Sequence, residues 1–224
     1  MMTAEQHRIT RADVVPMAEF AKLRQERRRA LLPVKKLRRI EVGPSSCFYF
    51  ESYDTMWLQV HEMLFIEKGG EDQIAGELEA YNALIPQGQE LVATVMFEID
   101  NEVERHNLLA RIGGIENTIF MSFGGETVAA APEDDAERTR EDGKASSVHF
   151  VHFKFTPAQI AKFRQAGAEA MLDRLVANKL PRGHLRTQLC HVLNNIVGVV
   201  SEFTVTRLCP DRFYIISAAA AERS

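Results

Sequence analysis

The apolar residues of this chain change period repeatedly without settling into a strand-helix-strand rhythm, and that order limits the fold more than any other feature. Thr10 and Asp13 have the spacing of a capping box, and Met17, Phe20, Ala21, Leu23, Ala30 and Leu31 follow as a helical stripe. A long first helix is expected, ending before Pro33. Arg38 to Val42 and Cys47 to Glu51 flank the turn Gly43-Pro44-Ser45-Ser46 and read as a hairpin. From Asp54, Met56, Trp57, Val60, Met63, Leu64 and Ile66 return to helical spacing until Gly69-Gly70, and Ile74, Leu78, Tyr81 and Leu84 continue it to Pro86. Glu90 to Ile99 reads as a strand, and Asp100 or Asn101 can cap a helix that ends at Gly113-Gly114.

The second half continues in the same mixed order. Ile119 to Phe123 and Thr127 to Ala130 suggest another hairpin, and Pro132 to Lys144 is an acidic connection without apolar periodicity. Ser146 to Phe155 is a strand, and Thr156-Pro157-Ala158-Gln159 opens a short helix ending near Gly167. Leu172 to Leu180 reads as helical, and Leu185 to Leu193, Val199 to Arg207 and Arg212 to Ser217 read as strands. Runs of strands and helices without regular βαβ alternation predict an α+β fold. Its sheet is expected to be mixed or largely antiparallel, with flanking helices and a C-terminal partial β-rich segment.

Charge is distributed in blocks. Residues 1 to 42 carry eleven Lys/Arg against five Asp/Glu, residues 51 to 142 five against twenty-one, and residues 143 to 224 eleven against five. Such blocks speak to partners and self-association, not to fold. The three cysteines, Cys47, Cys190 and Cys209, form no C-x-x-C pair, which suits reduced thiols better than a disulfide framework. The N-terminal MMTAEQHRIT lacks an apolar signal-peptide core, and the longest uncharged stretch, Thr187 to Ser201, is shorter than the ~20 residues of a bilayer span. A soluble cytoplasmic protein with no membrane partner is expected.

Six separated motifs occur in order: ITRADVVP at Ile9 to Pro16, EVGP at Glu41 to Pro44, FESYDT at Phe50 to Thr55, EMLFIEK at Glu62 to Lys68, ELEAYNALIP at Glu77 to Pro86, and SSVHFVHFKFTPAQI at Ser146 to Ile160. With these, residues 8–171 resemble a bacterial family known as domain of unknown function 3501, although Tyr53 stands where that family's pattern has an arginine. The resemblance implies no established activity. DRLVANKLPR at Asp173 to Arg182 and VVSEFTVTRLCPDRFYIISAAAAER at Val199 to Arg223 instead resemble a piece of the tetrahydrofolate-binding aminomethyltransferase domain of dimethylglycine and sarcosine dehydrogenases and the glycine-cleavage T protein. That resemblance implies a second piece over residues 173–224, with Gly198 and Glu202 in folate-binding positions and Glu202 as the acidic residue near the folate nitrogen. Val197 replaces one glycine of the pair expected there, and the flanking parts of a folate pocket are not present in the chain.

Glu202 could act as a general base. The alternation that sets Glu202, Thr204 and Thr206 on one strand face and Phe203 and Val205 on the other is equally the pattern of an ordinary half-buried strand. His149 and His152 lie three apart on a strand and so point to opposite faces, which argues against a shared metal. His149 is expected in the core and His152 in solvent. His61-Glu62 lacks an H-E-x-x-H partner. Glu51, Asp54 and Glu62 are the carboxylate candidates for a metal, with Glu51 and Asp54 clustered where a strand meets a helix. A helix cap would by itself account for Asp54.

Nine Lys/Arg fall between Lys22 and Arg39 with no aromatic residue among them, so they match a helix face pairing with the protein's own acidic surface better than a nucleic-acid groove. The glycine pairs form no phosphate-binding motif, and no G-x-S-x-G occurs. With no complete catalytic constellation, the leading expectation is a cytoplasmic accessory or binding protein that meets a protein partner or a second copy. The alternatives are a tetrahydrofolate-binding protein of one-carbon metabolism and a carboxylate-based metal binder.

Overall fold

Strand alternation in the middle of the chain divides most of the apolar residues between two cores, with a third, smaller cluster around Phe97, Leu109, Ile112 and Ile115. The computed structural model describes residues 7–42, 45–133, 139, 143–163, 170–174, 187–188, 203–207 and 214–218. In chain order the elements are a 3-10 turn (Arg11–Asp13), α1 (Met17–Leu37), β1 (Arg39–Val42), β2 (Ser46–Phe50), α2 (Tyr53–Glu67), α3 (Glu71–Asn82), β3 (Glu90–Phe97) and α4 (Glu102–Leu109). A second 3-10 turn (Ile115–Thr118) leads to β4 (Ile119–Phe123), β5 (Glu126–Ala129), β6 (Ala131–Pro132), β7 (Val148–Lys154), α5 (Pro157–Phe163), β8 (Ala170–Arg174), β9 (Thr187–Gln188), β10 (Phe203–Arg207) and β11 (Tyr214–Ala218).

The strands form a five-stranded sheet in the order β1-β2-β3-β7-β6, a four-stranded sheet in the order β5-β4-β8-β9, and the separate pair β10-β11. All of these pairings are antiparallel, so the fold is α+β with an antiparallel main sheet. No helix among the described residues is long and apolar enough to cross a membrane.

The period of two along β2, β3 and β7 sends alternate side chains to opposite faces of the main sheet. Phe48, Phe50, Leu91, Ala93, Val95, Val151 and Phe153 meet Ile119, Met121, Phe123 and Val128 of the small sheet in one buried core. Val92 and Phe150, of opposite parity, join Phe20, Leu31, Met56, Trp57, Val60 and Leu64 of α1 and α2 in the other. Each fully buried Phe contributes roughly 1.5–3 kcal/mol by leaving water.

Several boundaries depart from the sequence expectation. Thr10 and Asp13 cap the short 3-10 turn, with Asp13 Oδ2 accepting from the Thr10 backbone N–H at 2.7 Å, and α1 begins only after Pro16. The helix then runs through Pro33 to Leu37. An interior proline costs about 3 kcal/mol, and here Leu31 and Val34 pack into the helix-side core while Arg38, just past the last turn, fastens to β2. α2 is capped by Ser52 and not by Asp54: Thr55 N–H donates to Ser52 Oγ at 3.3 Å, and Ser52 N–H to Thr55 Oγ1 at 2.9 Å. It ends at Lys68, whose φ of 57° is left-handed, one residue before the glycine pair.

Asn101 caps α4 through bonds from Val103 and Glu104 N–H at 2.9 and 3.1 Å. The largest departure is at residues 172–174, expected to be helical: they belong to β8, which pairs with the edge of β4 that β5 leaves free. Edge pairing overrides a weak helical pattern.

Candidate functional site

α1 ends on Leu37, and the next residue, Arg38, turns under the helix layer and is only 3% exposed. Its Nε donates to the Phe50 carbonyl at 2.9 Å and its Nη2 to the Glu51 carbonyl at 2.7 Å, fixing the end of β2. Nη1 is buried and has no hydrogen-bond partner among the described residues. Burial pushes the guanidinium below its usual range, and the charges of Glu51 and Asp54 act against that shift.

Glu51 continues the β2 alternation onto the helix-side face and is itself buried. Its carboxylate is held between two hydroxyls: Thr55 Oγ1 of α2 donates to Oε2 and Thr94 Oγ1 of β3 to Oε1, each at 2.6 Å. The α2 cap residue Thr55 thus also orients the carboxylate. No ion pair within 4.0 Å joins Arg38 to Glu51 or Asp54 among the described residues, so the guanidinium and the carboxylate stand near each other without touching.

Arg38 and Glu51 both line a cavity of about 510 Å³ between the helix layer and the main sheet. Met56, Leu84, Met96, Val148 and Phe150 make its apolar wall, and Gln59, Tyr81 and Thr94 contribute polar atoms. This size and this mixture of an apolar surface with a few convergent polar groups are those of a small-molecule site. Lys35 and the pair Tyr49 and Glu98 also line it, with Lys35 exposed.

Tyr49 donates its hydroxyl to Glu98 Oε1, and Arg39 binds Tyr49 OH, Glu98 Oε2 and Glu41 Oε1 at 3.0, 3.0 and 2.6 Å. Burial and the Glu98 bond push the Tyr49 phenol up to about 12. The Tyr49 hydroxyl chiefly holds the Glu98 carboxyl below its ordinary value against the opposing effect of burial, and Arg39 adds to the lowering. A second depression, of about 670 Å³ by α4, is lined by Ser45, Glu104, His106 and Arg111 among others, and none of its lining residues is buried.

The three carboxylates proposed for a metal part company. Glu51 lines the cavity, Asp54 is exposed on the first turn of α2, and Glu62 makes a two-pronged pair with Arg24 at 2.7 to 3.0 Å. No group of three or more His, Cys, Asp or Glu among the described residues is arranged for a metal ion. Gly198 and Glu202 lie outside the described residues; β10 begins at Phe203.

His149 and His152 do face opposite sides. His149 is fully buried, 3.4 Å from Glu116 and edge-on to Phe97. His152 is not in solvent: it is half-buried, with Nδ1 3.1 Å from Glu90 Oε2. His61 sits fully buried in the helix-side core, its Nε2 accepting from Val15 N–H at 3.1 Å and its Nδ1 2.7 Å from the Trp57 carbonyl, the arrangement of a neutral ring. The basic face of α1 pairs inward through Arg24 with Glu62 and lays Arg27 over Trp57.

Arg38, Thr55 and Thr94 were not singled out by sequence reasoning. Arg38 is one cation among nine in its segment, and Thr94 is the only hydroxyl in the strand ELVATVMF, a signal that becomes readable once its parity with Glu51 is known.

A family model described as "Protein of unknown function (DUF3501)" matches residues 8–179. Among solved structures, the chain is similar to a "novel protein of unknown function" from Burkholderia pseudomallei K96243, with 33% identity and a TM-score of 0.74 over 84% of this chain and 95% of that one. No curated protein matches. These findings do not support an aminomethyltransferase likeness, and the family match runs past Asp173, where the folate-like piece was expected to begin.

Proposed function

The chain belongs to the family of unknown function DUF3501, and from its cavity we propose that it is a small-molecule-binding accessory protein of the cytoplasm, not an enzyme. The observation that carries the reading is a buried guanidinium and a buried carboxylate, held apart on the wall of a cavity of about 510 Å³ that is otherwise largely apolar. Charged groups are costly to bury without a matching partner. A fold that keeps two of them at a cavity wall gains from a ligand that matches both.

The free, buried thiol of Cys47 agrees with a reducing compartment. Exposed Leu32 and Leu37 on α1 offer a protein partner or a second copy apolar surface beside the cavity wall at Lys35.

The test is a thermal-shift panel of small organic acids, amines, alcohols and sugars on the full chain and on Met96→Trp, which fills the cavity. At least one class should raise Tm saturably in the native chain and not in Met96→Trp. Reproducible turnover of a panel compound, or stabilisation that persists in Met96→Trp, would overturn the reading.

A further inference from the structure

The ligand chemistry can be read from the atoms that Arg38 and Glu51 leave unused. Arg38 spends Nε and one N–H of Nη2 on two successive carbonyls of the β2 end. That occupies one edge of the planar group and leaves its far end, both N–H bonds of Nη1 and the second of Nη2, without a partner among the described residues. Two parallel N–H donors on a permanently charged plane match a carboxylate in a two-pronged pair. The exposed cation of Lys35 on the same cavity adds to the attraction of an anion.

Glu51 narrows the class further. Each of its oxygens accepts one threonine hydroxyl and retains a site for another donor. A bare carboxylate on Arg38 would meet repulsion from this second carboxylate in the same cavity, whereas one with a hydrogen-bond donor on the adjacent carbon would satisfy both groups. Asp54 and Glu98 are the other acidic groups near the site. Asp54 is exposed and Glu98 is engaged by Tyr49 and Arg39, so Glu51 is the acceptor that faces the ligand. Met56, Leu84, Met96, Val148 and Phe150 provide for an apolar substituent.

Resting on the small-molecule reading above, we propose that the cavity binds an α-amino or α-hydroxy carboxylic acid with an apolar side chain, its carboxylate on Arg38 and its α-substituent donating to Glu51. The structure gives both members of this class the same contacts, and the test separates them.

The experiment is calorimetry on the full chain with phenylalanine, 3-phenyllactate, 3-phenylpropanoate and 2-phenylethylamine. In parallel, the methyl signals of Met56 and Met96 are followed by NMR with each of these and with neutral benzyl alcohol. Phenylalanine or 3-phenyllactate should bind at least about tenfold more tightly than both 3-phenylpropanoate and 2-phenylethylamine, the scale of one good hydrogen bond to a charged group. The tighter of the two identifies the α-substituent.

In Glu51→Gln the advantage over 3-phenylpropanoate should fall to about threefold or less, and in Lys35→Ala all three acids should weaken while 2-phenylethylamine does not. Arg38→Lys should weaken the acids most. Because it also loosens the β2 end, the Glu51 and Lys35 variants decide the matter if it fails to fold. Equal affinity of 3-phenylpropanoate and the substituted acids overturns the proposal, as does binding of every charged probe no tighter than benzyl alcohol. In either case Met56 and Met96 shifts would leave the small-molecule reading standing. If no probe, benzyl alcohol included, moves those methyls, the small-molecule reading falls with it.

Discussion

The two faces of the main sheet are built from the same strands yet solve different problems. On the face toward the small sheet, Phe48, Phe50, Leu91, Val95, Val151 and Phe153 interdigitate with Ile119, Met121 and Phe123, and His149, on the same face, is buried beside Phe97 and Glu116. On the face toward the helices, the same strands present Tyr49, Glu51, Thr94 and His152, and the layer above leaves a cavity of about 510 Å³. Close packing dominates the first face, and on the second the packing of Val92 and Phe150 under α1 and α2 is joined by hydrogen bonds between particular polar partners. Neighbouring residues such as Phe50 and Glu51, or Phe153 and His152, therefore answer to different physics.

That contrast is open to direct attack. Phe153→Ala on the close-packed face should cost about 3–5 kcal/mol, measured by urea unfolding, because the surrounding apolar groups cannot follow the lost ring. Thr94→Val on the cavity face should cost about 1–3 kcal/mol, the loss of one hydrogen bond to a buried carboxylate. Equal costs would erase the distinction between the faces.

Acid should act on the helix-side face first. Burial, aided by the charge of Arg27, holds the His61 ring below its ordinary 6.5 against the Trp57 hydrogen bond. The unfolded chain therefore binds a proton the folded one refuses, and stability declines as pH falls below about 6.5. Unfolding curves at stepped pH should show this slope in the native chain and lack it in His61→Gln. Glu90 adds a smaller loss at lower pH. Burial pushes its carboxyl up, but the His152 bond and charge, Gln87 N–H and Lys154 more than compensate, leaving it below the usual 4.5. Its contribution is complete above that value and disappears as pH drops through the folded one, so Glu90→Gln should flatten the acid limb. Smallest of all, Arg11→Ala, which breaks an ion pair between two exposed side chains, should leave Tm unchanged in a calorimetric scan.

The strands of the main sheet were largely legible in the sequence, since the β-branched and aromatic content of Ser46–Phe50, Glu90–Phe97 and Val148–Lys154 is a local property. So was the opposition of His149 and His152. The continuation of α1 through Pro33 was not, because it rests on contacts with α2 and β2 that outweigh a local breaker. Nor was the strand at Ala170–Arg174, which exists by virtue of the β4 edge. Glu51 stood out as a clustered carboxylate, but its companions did not. Thr94 lies 43 residues away, and Arg38 resembled its eight basic neighbours until burial set it apart.

The Arg38 clamp also has a bearing on the order in which the molecule assembles. Its two hydrogen bonds span only 12 and 13 residues, whereas the bond from Thr94 to Glu51 spans 43 and the one between His152 and Glu90 spans 62. Short loops close at lower entropic cost and faster than long ones. The cationic half of the cavity is thus a product of the α1–β1–β2 segment alone and can form while the strands that bring its hydroxyl and apolar walls are still apart. Mutations at Arg38 should accordingly slow refolding, while those at Thr94 should mainly hasten unfolding.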